Sequence, residues 1–102
     1  MAVISLTKDN FNREVMECTT KVLIDFYADW CGPCQMVSPL VDEIAGERQD
    51  IKVCKVNEGE QPALAQAFRV TSIPMLAVVE NGKLVQHAVG ARPKADILAL
   101  LQ

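Results

Sequence analysis

Cysteine is scarce in this 102-residue chain, with four in all, and charge of either sign is nowhere concentrated. Four cysteines are too few to staple a small domain as a disulfide framework, so a close pair among them points to chemistry. Ten basic against thirteen acidic residues leave a net charge of −3. The basic stripe that nucleic-acid binding requires is missing. No apolar run approaches the roughly 20 residues of a membrane-crossing helix. The first ten residues hold only a short apolar patch before Lys8 and Asp9, without the basic and long apolar regions of a secretory signal, so the expected compartment is the cytoplasm. There is no internal repeat, linker or low-complexity segment. Half of the residues are apolar, enough for one core, and residues 1–102 are expected to form a single small domain.

What is present is Trp30-Cys31-Gly32-Pro33-Cys34, between a strand-like apolar run and a helix-like stripe. A Cys-x-x-Cys in that context reads as a redox pair. If a helix starts after Cys31, then Cys34 lies inside its first turn, and positions three apart share a helix face. The two sulfurs can then bond or separate with little backbone motion. The first N–H groups of a helix have no internal partner and the dipole there is positive, so a thiolate at Cys31 is favoured over a thiol. Pro33 fits the fixed φ of a helix start. Gly32 leaves room for another backbone to approach. A zinc ligand pair, or two unrelated core cysteines, are the other readings of the spacing. Structural zinc needs four ligands, and no second close pair occurs.

Taken in order, the chain predicts a strand over 3–6, then a helix capped by Thr7 with Phe11, Val15 and Cys18 on one face. Residues 21–28 are apolar on both alternating faces, the mark of a central strand covered on each side. Asp25 falls in its middle, where desolvation raises a carboxyl pKa. Met36, Val37, Leu40, Val41, Ile44 and Ala45 form an amphipathic stripe; Pro39 should kink that helix without ending it. A strand is expected over 51–56, with Cys54 as a small core residue. A helix opens at Pro62, with Ala63, Leu64, Ala67 and Phe68 facing inward. Strands over 75–80 and 83–89 flank Asn81-Gly82, the signature of a type I′ hairpin. His87, the only histidine, reads as an ordinary exposed residue on an edge strand. Pro93 opens a last helix whose inner face is Ile97, Leu98 and Leu101.

The chain resembles the thioredoxins. The likeness rests on Cys31-Gly32-Pro33-Cys34 together with Asp25, Pro39, Ile73-Pro74, Asn81-Gly82 and Val89-Gly90-Ala91, in the order and at roughly the spacing of that family, over essentially the whole chain. It implies an α/β fold: a mixed five-stranded sheet flanked by about four helices, with the third strand between the first two. It implies thiol–disulfide exchange, in which Cys31 attacks a target disulfide and Cys34 resolves the mixed disulfide. Asp25 would carry the Cys34 proton, and Lys55 matches the family lysine close to that aspartate. Gly32, Pro33 and Lys55 would tune the redox pair. Sequence alone gives Ile73-Pro74 a trans bond, whereas thioredoxins hold this proline cis against the cysteine pair. Trp30, Ile73, Pro74, Val89, Gly90 and Ala91 would form a shallow docking surface on which a target backbone pairs. No bound cofactor or metal is implied; NADPH and flavin enter through a partner thioredoxin reductase. The other partners would be various disulfide-containing proteins, and the chain would act as a monomer, with no membrane or nucleic-acid partner. Four positions depart from the usual pattern. Gln35 stands in place of a lysine or arginine, Glu58 and Gly59 in place of an apolar residue and an aspartate, and Met75 in place of threonine.

Overall fold

The computed structural model describes residues 3–102; Met1 and Ala2, with that part of the leader expectation, lie outside them. Five strands form one mixed sheet: β1 (Ile4–Ser5), β2 (Val22–Tyr27), β3 (Lys52–Asn57), β4 (Met75–Glu80) and β5 (Lys83–Val89), in the order β1-β3-β2-β4-β5. The third strand lies between the first two, as the resemblance implied. β3 runs parallel to β1 and β2, while β4 is antiparallel to both β2 and β5. Among the described residues there are four helical segments: a π-helical one, Asn12–Met16, and α1 (Gly32–Glu47), α2 (Pro62–Ala67) and α3 (Lys94–Leu100).

β2 has neighbours on both edges and both faces, which accounts for its unbroken apolar run. Ile24 and Phe26 enter one core with Val15, Cys54, Leu64 and Ala77, closed by Phe11 and Phe68. The Phe26 and Phe68 rings lie 5.0 Å apart. Leu23 enters the other core, with Val37, Val41 and Ile44 of α1 and Ile97 of α3. Asp25 shares the α1 side of the strand, because side chains alternate. The hairpin turn at Asn81-Gly82 has φ of 53° and 77°, the doubly positive backbone of type I′. An irregular register at Val78/Val79 leaves Val85 as an extra residue on β5, a bulge on an edge strand.

Several local expectations shift. Thr7 closes the turn over residues 8–10 and does not cap the helical segment itself, whose N-cap is Phe11: its Oγ1 accepts the Asp9 and Asn10 N–H groups, and Asn10 Oδ1 accepts the Thr7 N–H at 2.8 Å. That segment is π-helical, not α-helical, with the Glu17 N–H donating to Asn12 O; the wider turn buries Val15 and leaves Met16 exposed. Met36 is 70% exposed, outside the stripe assigned to it. Val37 faces inward and its neighbour Met36 does not, and the buried row runs Cys34, Val37, Val41, Ile44, Ala45. In α2 the buried residues are Leu64 and Ala65, with Ala63 and Ala67 outside. This six-residue helix presents one turn only, so its inner row is Leu64, Ala65 and Phe68. Pro39 sits within α1, which continues to Glu47. The last helix buries Ile97 and Leu101, as its stripe predicts.

Candidate active site

β2 leads directly into the site. Its chain leaves the sheet at Tyr27, and the Cys31 N–H donates to Ala28 O at 3.2 Å, closing a turn. Cys31 is extended (φ −89°, ψ 108°) and caps α1, its Sγ accepting the Cys34 N–H at 3.2 Å. Gly32 and Pro33 form the first turn, which holds no acidic residue to offset the helix dipole. The Cα atoms of Cys31 and Cys34 are 5.3 Å apart and their sulfurs are joined, so the pair is oxidised. Both cysteines are buried against Ala28, with Tyr27 and Ile73 packed on them. Once the bond is cleaved, Cys31 sulfur keeps an N–H donor and the positive helix end, and both lower the cost of a thiolate.

Ile73 and Pro74 close the other side. The peptide bond between them is cis, as in the resemblance and unlike the expectation from sequence alone. Ile73 O lies 3.9 Å from Cys31 Sγ, and the Gly90 N–H donates to Pro74 O at 2.8 Å. That bond brings the end of β5 beside the pair. Gly90 has φ of 97°, and no atom lies within 4 Å of where a Cβ would stand. Trp30 is 77% and Val89 47% exposed; Ala91 is exposed as well. Two grooves measure about 320 Å³ each. One is lined by Trp30, Glu58 and residues 70–73, the other by Met36, Leu40, Ala91, Arg92 and Pro93. Of the six expected docking residues, Trp30, Ile73 and Ala91 line these two grooves, and Gly90 is joined to Pro74 through its N–H. A larger apolar groove, about 500 Å³ between Phe11, Phe68 and Leu84, includes none of these residues. Its only titratable side chain is Arg69, so chemistry belongs to the smaller clefts.

Asp25 is fully buried, and neither carboxylate oxygen has a hydrogen-bond partner. Burial pushes its carboxyl up to about 6; the Lys55 ammonium pulls the other way and the Asp42 carboxylate adds to the rise. Lys55 is the register partner of Asp25 on β3. Its Nζ donates not to Asp25 but to Ser38 Oγ, and pairs with Asp42 Oδ1 at 3.0 Å. A cleft of about 180 Å³, lined by Tyr27, Ala28, Asp29, Cys34, Gln35 and Ser38, opens beside the second cysteine. Ser38 was hidden in the sequence within an apolar stripe. Its one signal is the spacing, four residues after Cys34 and so on the same helix face.

The other chemical candidates lie elsewhere. Cys54 is fully buried and its thiol is pushed up to about 12 by burial. Cys18 is half-buried, 3.2 Å from the Thr20 hydroxyl. Burial raises its pKa, but the Thr20 bonds and the Lys52 charge bring it below the usual thiol value. His87 is exposed on β5. Met75 is buried on the Phe26 side of the sheet, in the core that faces away from Asp25.

The thioredoxin family model matches residues 2–102. The chain is 46% identical to thioredoxin 1 of Synechococcus elongatus, over 91% of this chain and 88% of that one. It is 43% identical to the thioredoxin of Mycobacterium bovis, over 95% and 84%. The M-type chloroplastic thioredoxin of Chlamydomonas reinhardtii is 41% identical over 96% of this chain and 71% of its own length.

Proposed function

This chain belongs to the thioredoxin family and exchanges dithiols for disulfides through Cys31 and Cys34, and we propose the following division of labour among its residues. Cys31, as thiolate, attacks one sulfur of a target disulfide; a mixed disulfide forms and the other target sulfur leaves as thiolate. Cys34 then loses its proton to Asp25, through water in the adjoining cleft, and attacks Cys31 Sγ. The target's second sulfur leaves, and the Cys31–Cys34 disulfide closes. The cap geometry of Cys31 carries this assignment: of the two sulfurs, it is the one that receives a helix N-terminal N–H. Holding both cysteines in one helix turn makes resolution effectively unimolecular.

The family needs no bound cofactor and works with thioredoxin reductase and disulfide-containing proteins. For this chain we assign the reductase as the source of electrons, with NADPH and flavin on that partner. Trp30, Ile73, Pro74, Val89, Gly90 and Ala91 form the docking surface, used by a monomer of one domain, residues 1–102. Gly32, Pro33 and Lys55 tune the pair. We assign the compartment as cytoplasmic, where a reducing poise keeps such a dithiol charged. Among the described residues no helix is long and apolar enough to cross a membrane.

Trapping tests the order of attack. Cys34→Ser should accumulate a mixed disulfide with a disulfide-bonded target peptide, mapped to Cys31 by mass spectrometry, and Cys31→Ser should not. A trapped adduct on Cys34 in the Cys31→Ser protein at a comparable rate would reverse the roles. NADPH oxidation on adding reductase and a disulfide target tests the electron source.

A further inference from the structure

Asp25 and Lys55 are neighbours in register on adjacent strands, yet no hydrogen bond joins them. A buried carboxylate without a partner is costly, and an ammonium one strand away is its natural donor and counter-charge. The lysine is held off. Its Nζ is anchored by two groups of α1, Ser38 Oγ and Asp42 Oδ1, which fix where the ammonium sits. Asp42 is 57% exposed and can follow the lysine or let it go, whereas Ser38 is the inner of the two anchors. Ser38 also lines the cleft that holds Cys34.

We propose that Ser38 is a positioning residue for proton transfer: its hydroxyl ties the Lys55 ammonium to α1 and so prevents it from pairing with Asp25. The idea rests on the role proposed above for Asp25. A carboxyl hydrogen-bonded to an ammonium ionises well below neutrality and makes a poor base for a thiol. One left unpaired titrates near the working pH, where general acid–base exchange is most effective. Asp25 at about 6 meets that condition. The groups around it are few. β3 presents Lys55, β4 presents Leu76 in register, and α1 carries Cys34, Ser38 and Asp42 over this end of the sheet. Lys55 and Asp42 are the charges that act on it. In the oxidised protein Cys34 does not titrate, so the lysine's position can be read in isolation.

The test is to follow the Asp25 carboxyl carbon by NMR from acid to alkaline pH in oxidised wild type, Ser38→Ala and Ser38→Thr. Loss of the hydroxyl releases the Lys55 ammonium from α1, so that it can swing toward the unpaired carboxylate. The Ser38→Ala midpoint should fall by roughly one pH unit, a tenfold loss of proton affinity, and Ser38→Thr should restore it. In a Lys55→Met background Ser38→Ala should change nothing, since the serine acts only through the lysine. The acid limb of the Cys34 resolving rate should move with the midpoint in Ser38→Ala. An unchanged or raised midpoint in Ser38→Ala, or an equal Ser38 effect without Lys55, overturns the proposal. The titration also stands apart from the base assignment. If Asp25→Asn resolves at the wild-type rate with the wild-type pH profile, the proton-carrier role of Asp25 falls, whatever the midpoints show.

Discussion

Replacing Asp25 with asparagine should make the protein more stable at neutral and alkaline pH, but not near pH 4. The side chain is fully buried without a hydrogen bond, and its pKa is raised from 3.8 to about 6, chiefly by burial. The folded state therefore binds a proton that the unfolded chain has already released between about pH 4 and 6. Stability falls as pH rises through that window and stays lower above it. The difference in pKa is worth about 3 kcal/mol, a large share of the 5–15 kcal/mol that typically holds a domain together. Asparagine approximates the neutral acid in shape. Asp25→Asn should match wild type near pH 4 and exceed it by about 3 kcal/mol at pH 8, or roughly 12–24 °C in Tm for a domain of this size. Urea unfolding of both oxidised proteins from pH 4 to 8, with unchanged m-values, measures this directly. Parallel stability curves, with a gap that does not depend on pH, would refute the claim that an unpaired carboxylate ionises inside this core.

The remaining expectations concern thiols and packing. Gln35→Lys adds a positive charge on the cleft beside the cysteine pair; alkylation of reduced Cys31 below neutral pH should accelerate, and an unchanged rate would show that a charge at position 35 does not stabilise the Cys31 thiolate. In the native oxidised protein at pH 8, iodoacetamide should label Cys18 and spare Cys54. A buried thiol at about 12 is ionised in only about one molecule in ten thousand, so equal labelling would show that the core opens readily. Ile97→Ala empties a fully buried site where α3 meets α1; it should cost 2–5 kcal/mol in urea unfolding, and a loss under about 1 kcal/mol would mean that α3 does not seal that core.

The architecture was legible because its signals are local. The two-faced run 22–27, the stripe through Val37, Val41 and Ile44, and Asn81-Gly82 each name an element without reference to the rest of the chain. Where sequence and structure differ, two local choices are nearly equal. Met36 and Val37 are both apolar, and only the placement of α1 on the sheet decides that Val37 faces inward. The π-helical turn at Asn12–Met16 has the Glu17 N–H reaching Asn12 rather than Arg13, which periodicity does not register. Within the site, the cysteine pair and the buried aspartate were visible as residue types in context. The trans bond favoured at Ile73-Pro74 by sequence gave way to the cis bond only through the resemblance. Ser38 was invisible because its importance is set by Lys55, which is 17 residues away in sequence and reaches it across two layers.

The central claim is that Cys31 and Cys34 form a reducing dithiol, and its most direct test is the equilibrium potential of the pair. Thiol labelling with mass spectrometry across a series of redox buffers gives that value, with Cys18 and Cys54 as internal controls. The account predicts a potential at or below the cytosolic glutathione poise, roughly −220 to −260 mV. There the dithiol gives electrons to target disulfides and must be recharged by a reductase. A value well above that range would make the chain an oxidant or isomerase of the same fold, and would contradict both the direction of electron flow and the compartment.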